Sequence, residues 1–152
     1  MSGGGDPSAG RFEGKTHVLP VRVYYEDTDL TGVVYHANYL RFFERGRSDF
    51  LRLAGVDHAS LLARDDPAAF AVTKMTVEFR RPARIDDALE VTTEFTDARG
   101  VRLNVAQQIR RGATPIAAAD VEVVCINTEG RVRRPPAELV AALRPWFSRE
   151  SP

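Results

Sequence analysis

Residues Val21–Ala54 read VRVYYEDTDLTGVVYHANYLRFFERGRSDFLRLA, and this stretch decides the fold. Its first residues alternate between apolar and polar side chains, which is the pattern of a half-buried strand. The predicted inward positions of that strand are Val21, Val23 and Tyr25. After Asn38, a predicted N-cap, apolar residues recur at spacings of three and four, as in an amphipathic helix. The apolar stripe comprises Tyr39, Phe42, Phe43, Gly46, Phe50 and Leu53, and the polar face carries Arg41, Glu44, Arg45, Ser48, Asp49 and Arg52.

The rest of the chain is dominated by the period of two that is typical of strands. A short helix is predicted over Asp57–Ala63, and four long strands follow, beginning near Ala69, Leu89, Val101 and Pro115. Another short helix is predicted after two consecutive prolines near the end of the chain. This order of elements predicts an α+β hotdog fold, in which a long central helix is wrapped by a five-stranded, mainly antiparallel sheet. Gly46, in mid-helix, suits either close packing against a strand or partner subunit, or simple tolerance of a glycine.

Length and composition predict a single domain. A chain of 152 residues with 43% hydrophobic content can bury one core, which we place in a hotdog domain at residues 16–147. Residues 1–15 include a run of three glycines and offer little to bury. We therefore predict a disordered N-terminal tail over residues 1–15.

Composition also excludes several classes of protein. The 21 basic and 21 acidic residues cancel, so the chain lacks the overall positive field expected of a nucleic-acid-binding protein. Cys125 is the only cysteine, which excludes an internal disulfide. His17 and His58 have no partners at metal-ligand spacing, so no metal site is predicted. No apolar run reaches membrane-spanning length and no secretory signal is found, so we expect a cytoplasmic protein without membrane insertion.

One long motif is specific. Residues 24–43, YYEDTDLTGVVYHANYLRFF, contain the pattern D-x-D-x-x-G-x-V-Y-H-x-N-Y, followed by an aromatic-rich helix. With the later run RPARIDD at residues 81–87, the motif resembles the hotdog thioesterases, in particular the 4-hydroxybenzoyl-CoA thioesterase family and its Tol-Pal-associated, YbgC-like branch. The similarity extends from about Thr16 to Phe147. It implies an enzyme that hydrolyses acyl-CoA to a free acid and coenzyme A, with no cofactor beyond the coenzyme A of the substrate.

Thioester hydrolysis needs a carboxylate that attacks the carbonyl or activates water, and donors that hold the developing oxyanion. The resemblance assigns the first role to Asp29 and the second to the backbone amide of His36, at the start of the helix. Whether Asp29 is a nucleophile or a general base stays open. Asp27 is interpreted as structural, and an isolated DTD run would more simply be a turn bonding its own backbone. The His36 side chain is either a further donor or a polar residue at the helix entry.

Six further residues are predicted to bind the substrate: Tyr35, Asn38, Tyr39, Glu44, Arg81 and Arg84. The two tyrosines would form pocket wall or core, because aromatic residues beside a helix start usually pack. Glu44 lies where other hotdog branches place the working carboxylate, and its alternative role is an exposed partner for a nearby arginine. Arg81 and Arg84 would contact the phosphates of coenzyme A, and the alternative is solvated surface charge.

Two functional hypotheses follow. The first is an acyl-CoA thioesterase whose site is shared between two subunits of a homodimer, which assembles further into a homotetramer. The second is a non-hydrolytic module that binds acyl-CoA or acyl-carrier protein and releases no thiol. A hotdog dehydratase fits less well, because its usual Asp-x-x-x-x-His helix arrangement is not found. The sequence fixes neither the acyl group nor the choice between coenzyme A and acyl-carrier protein as its carrier.

Overall fold

The computed structural model describes residues 9–149, in which one long helix packs against one antiparallel sheet. The helices are α1 His36–Leu53, α2 His58–Leu62 and α3 Ala137–Leu143. The strands are β1 Arg11–Glu13, β2 Thr16–Arg22, β3 Ala69–Phe79, β4 Ala88–Arg99, β5 Arg102–Arg111, β6 Thr114–Ile126 and β7 Val132–Arg133. Within the described range, no helix combines the length and the apolar character that crossing a membrane requires.

The sheet has the strand order β1-β2-β4-β5-β6-β3, with β7 paired to β6. Each of these pairings is antiparallel. The predicted α+β class and the long central helix are confirmed. The predicted strand count of five is wrong, because the described residues form seven strands. The two additional strands, β1 and β7, have three and two residues and are too short to produce a recognisable alternation in the sequence.

Strand β1 corrects the predicted N-terminal tail. Residues 1–8 of that tail lie outside the described residues, but Arg11–Glu13 pairs with β2, so the tail does not extend to residue 15 as predicted. Phe12 anchors the strand, because its ring stacks on Trp146 with centroids 3.9 Å apart and contacts Phe50 edge-on. The C-terminal segment thus covers an aromatic residue that the sequence pattern assigned to the tail.

The start of α1 and the end of β2 also differ from prediction. The helix begins at His36, with Tyr35 as its N-cap, so Asn38 lies inside the first turn and its predicted capping role is wrong. Strand β2 ends at Arg22, and a 3-10 turn over Tyr25–Asp27 follows. Tyr25 is 81% exposed and does not continue the inward face of the strand. The turn redirects the chain before the alternation in the sequence ends.

The core lies between α1 and the sheet. Phe42, Phe43 and Phe50 of the predicted stripe are fully buried, whereas Leu53 at its end is partly exposed. At Gly46 the helix approaches the sheet closely, since a Cβ added there would lie 2.8 Å from Thr93 Oγ1 and 2.9 Å from a methyl carbon of Val91. Of the two alternatives for Gly46, close packing against a strand is the one observed.

A polar cluster lies near the C-terminal half of α1. Asp49, predicted on the exposed face, is buried and accepts hydrogen bonds from the Gly10 amide at 2.8 Å and pairs with His17 Nε2 at 2.7 Å. Arg52 completes an ion pair with the other oxygen of Asp49. The helical pattern did not predict this cluster, because β1 and β2 cover a face of α1 whose residues are polar.

Candidate active site

The loop before α1 folds back on itself as a small hairpin. The Asp27 carbonyl accepts from the Tyr35 amide at 3.0 Å, and the Val33 carbonyl accepts from the Asp29 amide at 2.9 Å. The buried carboxylate of Asp27 accepts from the Tyr24 amide at 2.8 Å and from Asn38 Nδ2 at 2.7 Å. These bonds hold the loop against the first turn of the helix. The structural role predicted for Asp27 is confirmed.

Asp29 lies exposed at the outer part of this hairpin. Its Oδ1 accepts from both the hydroxyl and the amide of Thr31, each at 2.7 Å. These two hydrogen bonds, the hydroxyl first, hold the pKa of Asp29 below its ordinary value. The carboxylate is therefore ionised at neutral pH. The turn considered for this residue is therefore present, but its hydrogen bonds to the side chain involve only Oδ1. Within residues 9–149, Oδ2 accepts no hydrogen bond.

The N-terminus of α1 is open. Tyr35 caps the helix without a side-chain hydrogen bond, and the first turn holds no acidic residue. Within residues 9–149, neither the His36 amide nor the Ala37 amide donates to a backbone carbonyl or a side chain. Free amides and the helix dipole make such a terminus a site for negative charge. The hairpin connects it to Asp29 through only six intervening residues.

Aromatic and apolar side chains surround this helix end. The rings of Tyr35 and His36, both exposed, lie 4.6 Å apart, and Phe79 of β3 lies 6.3 Å from His36 and 5.7 Å from Tyr39. The exposed large apolar residues of this region are Tyr24, Tyr25, Leu30, Tyr35, Phe79 and Ile85. A single chain therefore leaves the helix end beside an uncovered apolar surface. Such surfaces mark binding or assembly sites.

Two predicted substrate-binding residues, Asn38 and Tyr39, are buried rather than exposed on this apolar surface. Asn38 is 7% exposed and its amide donates to Asp27, while Tyr39 is 4% exposed and its hydroxyl accepts from the Ala83 amide at 2.9 Å. Their polar atoms support the hairpin and the segment that carries Arg81 and Arg84. Their predicted substrate contacts stay a prediction, and a structural role for each is observed.

Arg84 belongs to the same region, because its backbone forms a β-bridge with Val33 of the hairpin. Its amide donates to Asp87, which also pairs with Arg111 at 2.8 Å. The side chains of Arg81 and Arg84 are exposed. Asp29 and Tyr35 thus lie on the hairpin, His36 follows it directly, and the bridge attaches the segment with Arg84 to it. No group of three or more His, Cys, Asp or Glu side chains between residues 9 and 149 is arranged to hold a metal ion.

Glu44 does not join this group within one chain. It lies two turns further along α1, about 12 Å from His36 by helix rise, on the wall of a groove between α1, α2 and β3. The groove has a volume of about 380 Å³. It is lined by Glu44, Arg47, Ser48, Leu51, His58, Ala69, Phe70, Ala71, Val72, Phe95 and Val123. Neither Asp29 nor His36 lines this groove.

Sequence reasoning missed a polar contact behind this groove, between Arg47 and Gln107. Arg47, on α1, donates through Nη1 to Gln107 Oε1 at 2.9 Å, and Gln107 is itself buried. The signal was a glutamine at an inward position of β5, between Val105 and Ile109. A buried amide needs partners, and such a residue marks a polar contact across the core.

An antiparallel sheet packed against one long central helix is the architecture of the hotdog class. Residues 23–147 match the thioesterase-like superfamily. The chain belongs to this superfamily and is a thioester hydrolase.

Individual relatives agree with this assignment. The acyl-CoA thioester hydrolase YbgC of Escherichia coli is 46% identical over 127 residues, which are 82% of this chain and 93% of the relative. The acyl-CoA thioesterase YbgC of Haemophilus influenzae is 41% identical and covers 72% of this chain and 79% of its own length. Among solved structures, a probable thioesterase from Bartonella henselae superposes with a TM-score of 0.77 at 43% identity, covering 80% of this chain and 99% of its own. The predicted resemblance to YbgC-like hotdog thioesterases is confirmed.

Proposed function

We propose that the protein hydrolyses the thioester of acyl-CoA to a free acid and coenzyme A. The observation that carries this proposal is the ionised Asp29 on a hairpin that leads directly to the open N-terminus of α1. The names of the YbgC relatives support acyl-CoA as the substrate. Coenzyme A enters as part of the substrate, and no separate cofactor is required.

The helix N-terminus would stabilise the reaction's charged intermediate. Attack on the thioester carbonyl moves an electron pair onto its oxygen. The His36 amide, with Ala37 beside it, would donate to this oxygen while the helix dipole favours its charge. When the carbonyl reforms, the C–S bond breaks and the thiolate of coenzyme A leaves and takes up a proton. The exposed His36 ring would be a further donor to this oxygen.

Asp29 would act in one of two ways. As a general base, it removes a proton from a water molecule whose oxygen attacks the carbonyl, and this proton later reaches the leaving thiolate. As a nucleophile, its carboxylate attacks directly and forms a mixed anhydride that water then hydrolyses. Single-turnover hydrolysis in ¹⁸O-labelled water detects an anhydride that is opened at the Asp29 carbonyl. Attack of that water at the Asp29 side of an anhydride leaves label in the protein, whereas base catalysis labels only the released acid.

A second copy would complete the site. Strand β3 is an edge of the sheet, with eleven residues and β6 as its partner on one side. In a twofold antiparallel pairing of two β3 strands, the Phe79 end of one copy lies opposite the Ala69 end of the other. Phe79 contacts the helix start, and Ala69 lines the groove with Glu44. Such a homodimer would join the thioester-binding helix end of one copy to the groove of its partner, and would cover an edge that is otherwise free.

Further assembly and binding follow from the same scheme. Two dimers would form a homotetramer through the outer face of the sheet, where Ala106 and Ala118 leave a shallow groove of about 560 Å³.

The exposed Arg81 and Arg84 would contact the phosphates of coenzyme A. Acyl-carrier protein is an alternative carrier. We place the protein in the cytoplasm, where the single, buried Cys125 would stay reduced.

A thiol-release screen tests the proposed function. Wild type and Asp29→Asn are given short, long and aromatic acyl-CoA substrates, and the free acid is identified by mass spectrometry. We expect wild type to release thiol and acid in equal amounts, and the variant to be at least about a hundredfold slower. Absence of thiol release by wild type across the panel would contradict hydrolysis.

A non-hydrolytic acyl-CoA-binding module is the second candidate. It is favoured by one observation, the engagement of Asp29 Oδ1 by Thr31 as in an ordinary turn. This candidate predicts saturable binding of acyl-CoA or acyl-carrier protein by calorimetry, without any released thiol. The same screen therefore distinguishes the two functions.

A further inference from the structure

Arg47 is a half-buried cation on the wall of the groove between α1 and β3. Its Nη1 is fixed by Gln107, whose own amide donates to the Phe43 carbonyl at 2.8 Å and to Thr93 Oγ1 at 2.9 Å. Two core contacts thus hold the glutamine, and the glutamine holds the arginine. The guanidinium is therefore preorganised before any ligand binds.

The charge of this guanidinium is incompletely compensated. Burial lowers the pKa of Arg47, and the charge of Glu44, one turn earlier, opposes that effect. No carboxylate between residues 9 and 149 forms an ion pair with Arg47, whereas Arg52 on the same helix has Asp49. Half-buried charges are ordinarily paired, because desolvation is costly. With only Nη1 engaged by protein, the remaining donors have the planar geometry that matches a carboxylate.

The groove gives such a carboxylate an apolar approach. Leu51, Phe70 and Val72 line it on the helix and edge-strand sides, and Phe95 and Val123 line it on the sheet side. Apolar walls with one fixed polar group are typical of sites that select a ligand by its polar end. A short methylene chain would pack along the walls, and its far end would meet the guanidinium.

We propose that Arg47 selects the acyl group, and that the groove favours CoA thioesters whose acyl chain ends in a carboxylate. This inference rests on the proposed function, because the β3 pairing described above brings the groove of one copy beside the thioester-binding helix end of the other. Arg47 is then a specificity-determining residue, which binds the far end of the substrate while Asp29 and the His36 amide act on the thioester.

Binding of matched, uncleavable ligands tests the inference independently of hydrolysis. The probes are S-hexyl-CoA and S-(5-carboxypentyl)-CoA, thioethers of six carbons that differ in the terminal group. Calorimetry with wild type should give a Kd at least about tenfold lower for the carboxyl-ended probe, since a charge-assisted pair contributes roughly 10- to 100-fold. Arg47→Gln should reduce this ratio to near one, and Arg47→Lys should keep part of it because the charge remains.

Arg45→Gln is the matched control. Arg45 lies on the same helix and is exposed, with its guanidinium 5.8 Å from the Phe42 ring and facing the groove beside β2. The same loss of charge there should leave the ratio of the two Kd values unchanged. Sedimentation of each variant measures its assembly, and thermal unfolding measures its stability.

Three results would overturn the inference. The first is equal binding of the two probes by wild type. The second is an unchanged ratio in Arg47→Gln. The third is an equal loss of both probes in Arg47→Gln together with dissociation of the assembly, which would assign Arg47 to a contact between copies. Failure of thiol release in the earlier screen would overturn the hydrolytic proposal alone, because neither probe has a bond to cleave.

Discussion

The two ends of α1 are built in opposite ways. At the N-terminus, the His36 and Ala37 amides donate to no acceptor within residues 9–149, and Asp29 on the preceding hairpin is exposed. In the C-terminal half, Asp49 is buried with His17 and the Gly10 amide as partners. Polar groups left open at a surface are available to a ligand, whereas polar groups closed inside a core stabilise the fold. The comparison predicts that one end controls turnover and the other controls stability.

The largest effect on stability is expected from Asp49→Ala. This change leaves the buried His17 Nε2 and the partly buried Gly10 amide without a partner. Each costs roughly 1–3 kcal/mol, so unfolding in urea should show a loss of about 3 kcal/mol or more.

Arg52→Ala is the control for that cluster. Arg52 pairs with Asp49 from the exposed side, and such a partner contributes about 0–1 kcal/mol. A loss in Arg52→Ala as large as in Asp49→Ala would show that the buried contacts do not dominate.

Tyr39→Phe should have a smaller effect on stability, and it should also change the KM for acyl-CoA. Its hydroxyl accepts from the buried Ala83 amide, and removal of that acceptor costs about 1–3 kcal/mol. Because Ala83 belongs to the segment with Arg81 and Arg84, we expect KM for acyl-CoA to rise by several fold while kcat changes less. An unchanged KM in steady-state kinetics would separate this segment from substrate binding.

The smallest effect is a pH dependence of stability. Burial lowers the pKa of His17 in the folded protein. Below about pH 6.5 the unfolded chain therefore binds a proton that the folded chain does not, and stability falls as pH decreases, by at most about 1.4 kcal/mol per pH unit. Urea unfolding of wild type and His17→Gln from pH 7.5 to 5 should show a shallower slope for the variant. Equal slopes would contradict the burial of a neutral imidazole.

The pH dependence of turnover should differ from that of stability. Because Thr31 holds the pKa of Asp29 below its ordinary value, its carboxylate stays ionised across the same range, from pH 7.5 to 5. Protonation of Asp29 should therefore not limit kcat/KM anywhere in that range.

The sequence predicted the fold where patterns were long. The stripe of α1 and the alternation in β3 to β6 extend over ten or more residues, so local irregularities do not hide them. Short elements escaped, as β1 did, because three residues carry no periodicity. The helix start was misplaced by three residues, because Asn38 has the chemistry of a cap but donates to Asp27 from inside the first turn, and the N-cap is Tyr35.

The candidate site was predictable only in part. The DTD loop, and the helix start to within one turn, could be located from the motif, since the hairpin is local in sequence. Pairs that are distant in sequence could not be found by spacing, as Arg47 with Gln107 and His17 with Asp49 illustrate. Such pairs depend on which strand crosses the helix at a given turn, and this is fixed only by the packed fold.

The measurement that most directly tests the division between the two ends of α1 is kcat/KM for thiol release by Asp29→Asn, at an acyl-CoA that wild type hydrolyses. Asp57→Asn is the matched control, because Asp57 is an exposed turn aspartate that bonds the Ala59 amide and the Ser60 hydroxyl, as Asp29 bonds Thr31. We predict a loss of at least about a hundredfold in Asp29→Asn with unchanged unfolding, and activity within about twofold of wild type in Asp57→Asn. Near-normal turnover by a folded Asp29→Asn would contradict the assignment of chemistry to this end of the helix.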